Sequence, residues 1–196
     1  MSQQAPASSA TKNNSVGNTQ ASAPTTSPIA SSKAVDTLAW FDSLDPVSVE
    51  FMIGKWRGEG VPTHHPMDGL LENFNWYGKE FVSAEQVHPL VFQRSDDSLV
   101  KLNPQFMPLK YARNTVIVRQ SWFKKLFELS TLVTKTKASK ARLRLTEYRG
   151  KVSATMIYDD KPINDVFRKI DENTVLGVMD LKGMRQPFFF KLKRLA

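Results

Sequence analysis

Beyond residue 140 the chain passes through five runs of strand length and strand composition: Ala141 to Tyr148, Lys151 to Tyr158, Pro162 to Ile170, Thr174 to Asp180 and Gln186 to Arg194. Between them stand Arg149-Gly150, Asp159-Asp160-Lys161, Asp171-Glu172-Asn173 and Lys182-Gly183, each a tight polar connection. Strands joined this closely form an antiparallel meander, because a parallel neighbour needs a crossover of about a dozen residues or more.

Upstream the pattern is more broken. Asp45 and Pro46, ahead of apolar Val47, Phe51 and Met52 and stopped by Gly54, read as a short helix. In Gly54-Lys-Trp56-Arg-Gly58-Glu-Gly60-Val-Pro-Thr63 glycines recur at period two, so one face of a strand carries little side-chain bulk and lets another segment or a ligand approach the backbone. Gly69 to Tyr77 reads as a strand, and Tyr77-Gly78-Lys79-Glu80 as a turn into Phe81 and Val82. Leu90 to Arg94 and Leu99 to Leu102 form a short pair joined by Ser95-Asp96-Asp97-Ser98, and residues 103–111, interrupted by Pro104 and Pro108, are loop. From 122 to 133 the period becomes helical: Trp122, Phe123, Leu126, Phe127, Leu129, Leu132 and Val133 stand opposite Lys124, Lys125 and Glu128. Three to five strands before the meander bring the total to that of a small closed barrel. About eight strands leave room for packed side chains or one small ligand.

Composition changes this picture at the start of the chain. The first 34 residues hold no aromatic and no acidic residue and are rich in Ser, Ala, Thr, Asn, Gln and Pro, too little apolar surface to offset chain entropy. Residues 1–36 therefore read as a disordered tail and 37–196 as one β domain. A secretory signal would need a continuous apolar stretch, and a transit peptide, the rival reading, would need more than Lys12 and Lys33 and some arginine. No run approaches the ~20 apolar residues of a spanning helix, so an integral membrane protein is not expected. With 0 cysteines, disulfides, zinc-thiolate sites and thiol nucleophiles are excluded, and a reducing cytoplasm is the expected compartment.

The net charge of +8 is concentrated between Val116 and Lys151, where ten Lys and Arg face two Glu. Lys124, Lys125, Lys135, Lys137 and Lys140 could meet an anionic surface, or could simply form a solvated face. No signature of a specific nucleic-acid module is present, nor a nucleophile elbow, P-loop, dinucleotide fingerprint or HExxH.

At Gly54-Lys-Trp56-Arg-Gly58, continued by Thr63-His-His65-Pro66-Met-Asp68-Gly69, the chain resembles the GXWXG family over about 45–103. Ala141-Arg-Leu-Arg-Leu-Thr-Glu147-Tyr148, Ala154-Thr-Met-Ile-Tyr158-Asp159, Pro162-Ile-Asn-Asp165-Val-Phe167-Arg168 and Leu176-Gly177-Val-Met179-Asp180 resemble the uncharacterised domain that commonly follows it, over about 141–194. The resemblance implies a bacterial-type protein without an established activity. The glycine-tryptophan strand is also similar to that of nitrobindins. The fold class expected is therefore mainly β: an antiparallel calycin/lipocalin-like β-barrel with one or two short helices. Nitrobindins bind haem through a histidine near the C-terminus, whereas the histidines here are His64, His65 and His88. Haem binding is not expected, the remaining axial candidates being Tyr158, Met156, His65 and His88. No metal site is expected either.

The candidate ligand-binding residues are Trp56, His65, Trp76, Glu147, Tyr158, Asp165, Arg168 and Asp180. Trp56 either closes one end of the barrel or touches a ligand. His65, before Pro66, is either a general base or a loop histidine bonded to backbone. Asp165 shares a face with Ile163 and Phe167, which points its carboxylate inward as a base or anchor unless Arg168 or Arg144 pairs with it. Glu147, Tyr158 and Asp180 are taken to converge on the same lumen. Three functions follow as expectations: binding of a small apolar molecule, an isomerase- or cyclase-like reaction using Asp165 or His65, and attachment to an anionic surface through residues 122–144.

Overall fold

The computed structural model describes residues 32–106 and 121–196. The tail expected over 1–36 lies mostly outside them, but a helix, α1 (Ser32–Ser43), occupies its last residues. After it come β1 (Asp45–Pro46), α2 (Val49–Met52), β2 (Gly54–Val61), α3 (Leu70–Asn73), β3 (Trp76–Phe81), β4 (Val87–Gln93) and β5 (Leu99–Lys101). A single 3-10 turn spans Pro104–Phe106, and α4 covers Ser121–Thr134. The chain ends in β6 (Ala141–Tyr148), β7 (Lys151–Tyr158), β8 (Ile163–Asp171), β9 (Thr174–Leu181) and β10 (Phe188–Arg194).

The protein is mainly β and antiparallel. Each consecutive pair from β6 to β10 is hydrogen-bonded, which is the meander that the short connections predict. At Arg149-Gly150 both residues have positive φ, 54° and 75°, the requirement of a two-residue hairpin turn whose twist matches its strands. β10 then pairs with β2, and the path continues β2–β3–β4–β6 back to β7 and β8. The pairing thus runs around a ring. Its narrowest seam lies between β4 and β6, where Val87 and Ala141 make one ladder pair, supported by Lys140 N–H to Val87 O at 3.1 Å and Leu143 N–H to Ala84 O at 2.7 Å.

Several expectations upstream are corrected. The helix expected over 45–52 is reduced to one turn capped by Ser48, whose hydroxyl accepts from Phe51 N–H, while Asp45 and Pro46 pair instead with Lys169 and Arg168. Gly69 to Phe74 is a helical turn, not strand: Gly69 has φ 78°, and Leu70 and Phe74, four apart, both turn inward. Tyr77-Gly78-Lys79-Glu80 is no turn but the middle of β3, with register shifts against β4 on both sides of Gly78. α4 forms where the helical period predicts it, yet Leu129, Leu132 and Val133 are exposed and Phe127 and Thr131 pack inward.

The core divides between two faces. Inside the ring, Trp56, Phe81, Phe92, Leu143, Met156 and Phe167 are completely enclosed. Outside it, Phe41 of α1 packs on Val166, Leu176, Val178 and Phe189. Arg149 fastens α1 with a two-pronged contact to Asp42 (2.7 and 2.6 Å), and Lys151 donates to the Asp42 and Leu44 carbonyls at 2.8 Å. The Arg149 hydrogen bond holds the Asp42 carboxyl below its usual value of 3.8. That stabilisation is complete above the usual value and is lost as pH falls through the lowered one. Asp42→Asn should therefore cost at most about 1 kcal/mol at pH 7, this pair being half-exposed. Urea unfolding should show the difference from wild type vanishing in strong acid.

Candidate functional site

The glycine alternation in β2 makes room inside the ring. A Cβ on Gly58 would stand 2.2 Å from the Trp76 ring, so only glycine lets that indole lie flat across β2. Trp76 in turn meets Phe190 edge-on at 5.8 Å. β3 must then carry inward side chains at Trp76 and at Phe81, five residues apart, which strict alternation forbids. The irregularity at Gly78 resolves the conflict, and it turns Lys79 inward as well.

Lys79 is buried, and so is its partner, Asp165 of β8. The ammonium donates to Asp165 Oδ2 at 2.9 Å, to the Pro89 carbonyl at 3.1 Å and to the Tyr158 hydroxyl at 3.4 Å. The rings of Phe190, Trp76 and Tyr158 surround it at 5.1, 5.5 and 5.7 Å, where their faces attract a cation. Burial raises the Asp165 carboxyl above the usual carboxylate value, against the charge and hydrogen bond of Lys79 and the hydrogen bond of Tyr158. Burial also pushes the Tyr158 phenol well up, with the neighbouring Asp165 charge adding to it.

Above this cluster is a cavity of about 420 Å³. Its walls are almost wholly apolar, built from Leu90, Ile163, Met179, Phe188 and Phe190 of the strands, with Leu70 and Phe74 beside α3. Residues 102–104, Phe106 and the inner side of α4, through Leu126, Phe127, Ser130 and Thr134, cover it. Phe127 is held there by Phe74 and Phe92, with ring centroids 4.4 and 5.2 Å away. Lys79, Tyr158, Asp165 and Trp76 form the polar end. Among the described residues, Asp165 Oδ1 and Trp76 Nε1 are buried without a hydrogen-bond partner.

Three of the residues expected from sequence come together here: Trp76, Tyr158 and Asp165. The others do not line the cavity. Trp56 is enclosed, donates to the Met52 carbonyl at 2.8 Å and carries Arg194 over its ring at 4.2 Å, so it is held in the core away from the cavity. His65 is tied within its loop: Nδ1 accepts from Met67 N–H at 3.0 Å and Nε2 lies 3.2 Å from Met184 Sδ. Glu147 and Asp180 are exposed, because alternation faces Met179 inward opposite Asp165 and leaves Asp180 outward beside Asn164. Arg168 projects outward to α1, donating to the Tyr148 carbonyl at 2.9 Å with its guanidinium 5.0 Å from the Phe41 ring. It therefore does not pair with Asp165. Lys79, placed in a turn by its neighbours, is the member of the site that the strand pattern missed. Of the proposed basic surface, Lys135 and Lys137 are exposed, Lys140 pairs with Asp160 at 3.2 Å, and the side chains of Lys124 and Lys125 lie outside the described residues.

Comparison with known proteins places both halves of this site. Residues 39–97 match the GXWXG protein family, and residues 139–194 match a domain of unknown function (DUF4334). A crystal structure of a protein from Thermomonospora curvata is similar over 83% of this chain and 87% of that one, with 32% sequence identity and a TM-score of 0.62. The chain belongs to the GXWXG family. No curated protein matches it. In this GXWXG protein the two matched segments share one sheet, the first supplying β1 to β4 and the second β6 to β10. The buried ion pair joins them, with Lys79 from the GXWXG segment and Asp165 from the other. Among the described residues of this family member, no helix is long and apolar enough to cross a membrane, and no three His, Asp or Glu converge as a metal site would require.

Proposed function

We propose that the chain binds a small, largely apolar molecule in this cavity, as calycin-like barrels do. The observation that carries the reading is a half-open apolar space of about 420 Å³ ending on a buried, partly unsatisfied polar cluster. That volume falls in the range of organic ligand sites, roughly 300–1,000 Å³. A core optimised for stability alone would be filled, since each methyl-sized void costs about 1 kcal/mol. Leu90→Trp, which projects an indole into the space, should lower the affinity for N-phenyl-1-naphthylamine at least about tenfold in a fluorescence titration, while the urea midpoint stays near wild type. Equal binding by both proteins would refute the reading.

A second reading is an acid–base reaction in the same space, favoured by one observation: Asp165, held above the usual carboxylate value, faces the cavity beside Tyr158. In that case Asp165 is the base and His65, outside the cavity, is not. Attachment to an anionic surface rests on Lys135 and Lys137 and would weaken steeply with salt.

A further inference from the structure

The polar end of the cavity specifies the head group of its ligand, an inference that rests on the binding reading above. Lys79 has three N–H donors, and all three are engaged, by Asp165, Pro89 and Tyr158. Neither a nucleophilic amine nor a free cation is therefore presented to a ligand. Lys79 and Asp165 also cancel each other's charge, so this end of the cavity calls for a neutral head group; the other charged residue on the lining, Lys161, donates to the Gln105 carbonyl at 3.1 Å. Two capacities remain, one of each kind: Asp165 Oδ1 accepts, and Trp76 Nε1 donates. Leaving such groups dry and unpaired costs more than pairing them gains elsewhere.

We infer that the cavity selects a neutral amphiphile carrying a hydroxyl group, whose O–H donates to Asp165 Oδ1 and whose oxygen accepts from Trp76 Nε1. A hydroxyl is the smallest uncharged group that does both. A ketone or aldehyde accepts but cannot donate, and leaves the carboxylate oxygen bare. A carboxylate faces Asp165 with like charge. An alkylammonium donates to Asp165 but offers Trp76 no acceptor and adds a cation beside Lys79.

The test uses the full chain and a matched series: 1-nonanol, 2-nonanone, nonanoate and nonylammonium, titrated calorimetrically at pH 7.5. The alcohol should bind at least about tenfold more tightly than the ketone, and both ions more weakly still. In Lys79→Met/Asp165→Leu, which removes the polar pair together, the preference of alcohol over ketone should disappear while apolar binding persists. Trp76→Phe, which keeps an aromatic ring, should weaken alcohol and ketone alike. If alcohol and ketone bind wild type equally, the head-group assignment is overturned and the binding reading stands. If N-phenyl-1-naphthylamine and all four compounds fail to bind, both are overturned.

Discussion

Lys79→Met should be among the most damaging single substitutions in the protein, costing about 3–5 kcal/mol of stability at pH 8, whereas Lys79→Met/Asp165→Leu should recover most of that loss. The reason lies in how the pair is buried. Each charge has given up its hydration, and each is tolerable only because the other lies 2.9 Å away. Removing one leaves the other uncompensated; removing both leaves an apolar wall. The single variant carries a pH signature too. Wild-type Asp165 already sits above its usual value of 3.8, so its protonated form favours the folded state fully below that value, and the benefit is lost as pH rises through the raised one. Without the opposing pull of Lys79 the folded value climbs further. The deficit of Lys79→Met should accordingly be small in mild acid and grow towards pH 8, which urea titrations across that range would measure. A deficit independent of pH, or a double variant as unstable as the single one, would count against an ion pair at this position.

The parts of this protein that strict alternation governs were legible from residues alone. In β8 the period of two groups Ile163, Asp165 and Phe167 on one face, and in β7 it groups Met156 and Tyr158 on one face; the alternation gives the grouping, and burial shows that both faces are the inner ones. The same rule, applied less carefully, misplaced Asp180, one position out of step with the inward Met179. Glu147 failed for a different reason: it has the parity of inward Leu143, but it pairs with Val152 near the end of the β6–β7 hairpin, where both are exposed. Other errors arose where backbone conformation overrode composition. Leu70 to Phe74 has strand-like residues, but Gly69 and Asn75, both at positive φ, bound a helical turn between them. α1 closes on the sheet through Phe41 and the Asp42–Arg149 contact, long-range interactions to which the local sequence gives no clue. Lys79 had a signal that went unused. Trp76 and Phe81 are both large and apolar yet an odd number apart, so a strand that buries both must contain an irregularity, and Gly78 is where the chain can make one.

Gly78 is for that reason the position where fold and site are most tightly joined. Its φ of 148° belongs to a region that other residues scarcely enter, and an added Cβ would stand 1.9 Å from the Trp56 carbonyl oxygen. The obstacle is backbone in the neighbouring strand, not the end of a side chain that could swing away. Gly78→Ala should therefore cost at least about 3 kcal/mol. Gly150→Ala provides the contrast, because its φ of 75° is also positive but nothing lies within 4 Å of the new Cβ. That variant should lose only about 1 kcal/mol. If Gly78→Ala remains folded at all, β3 must straighten, and the alternation that follows turns Lys79 outward while Trp76 stays in. Asp165 would then lose its counter-ion without being mutated. Urea unfolding of Gly78→Ala should show the same growth of instability with pH as Lys79→Met, and Gly150→Ala should show none.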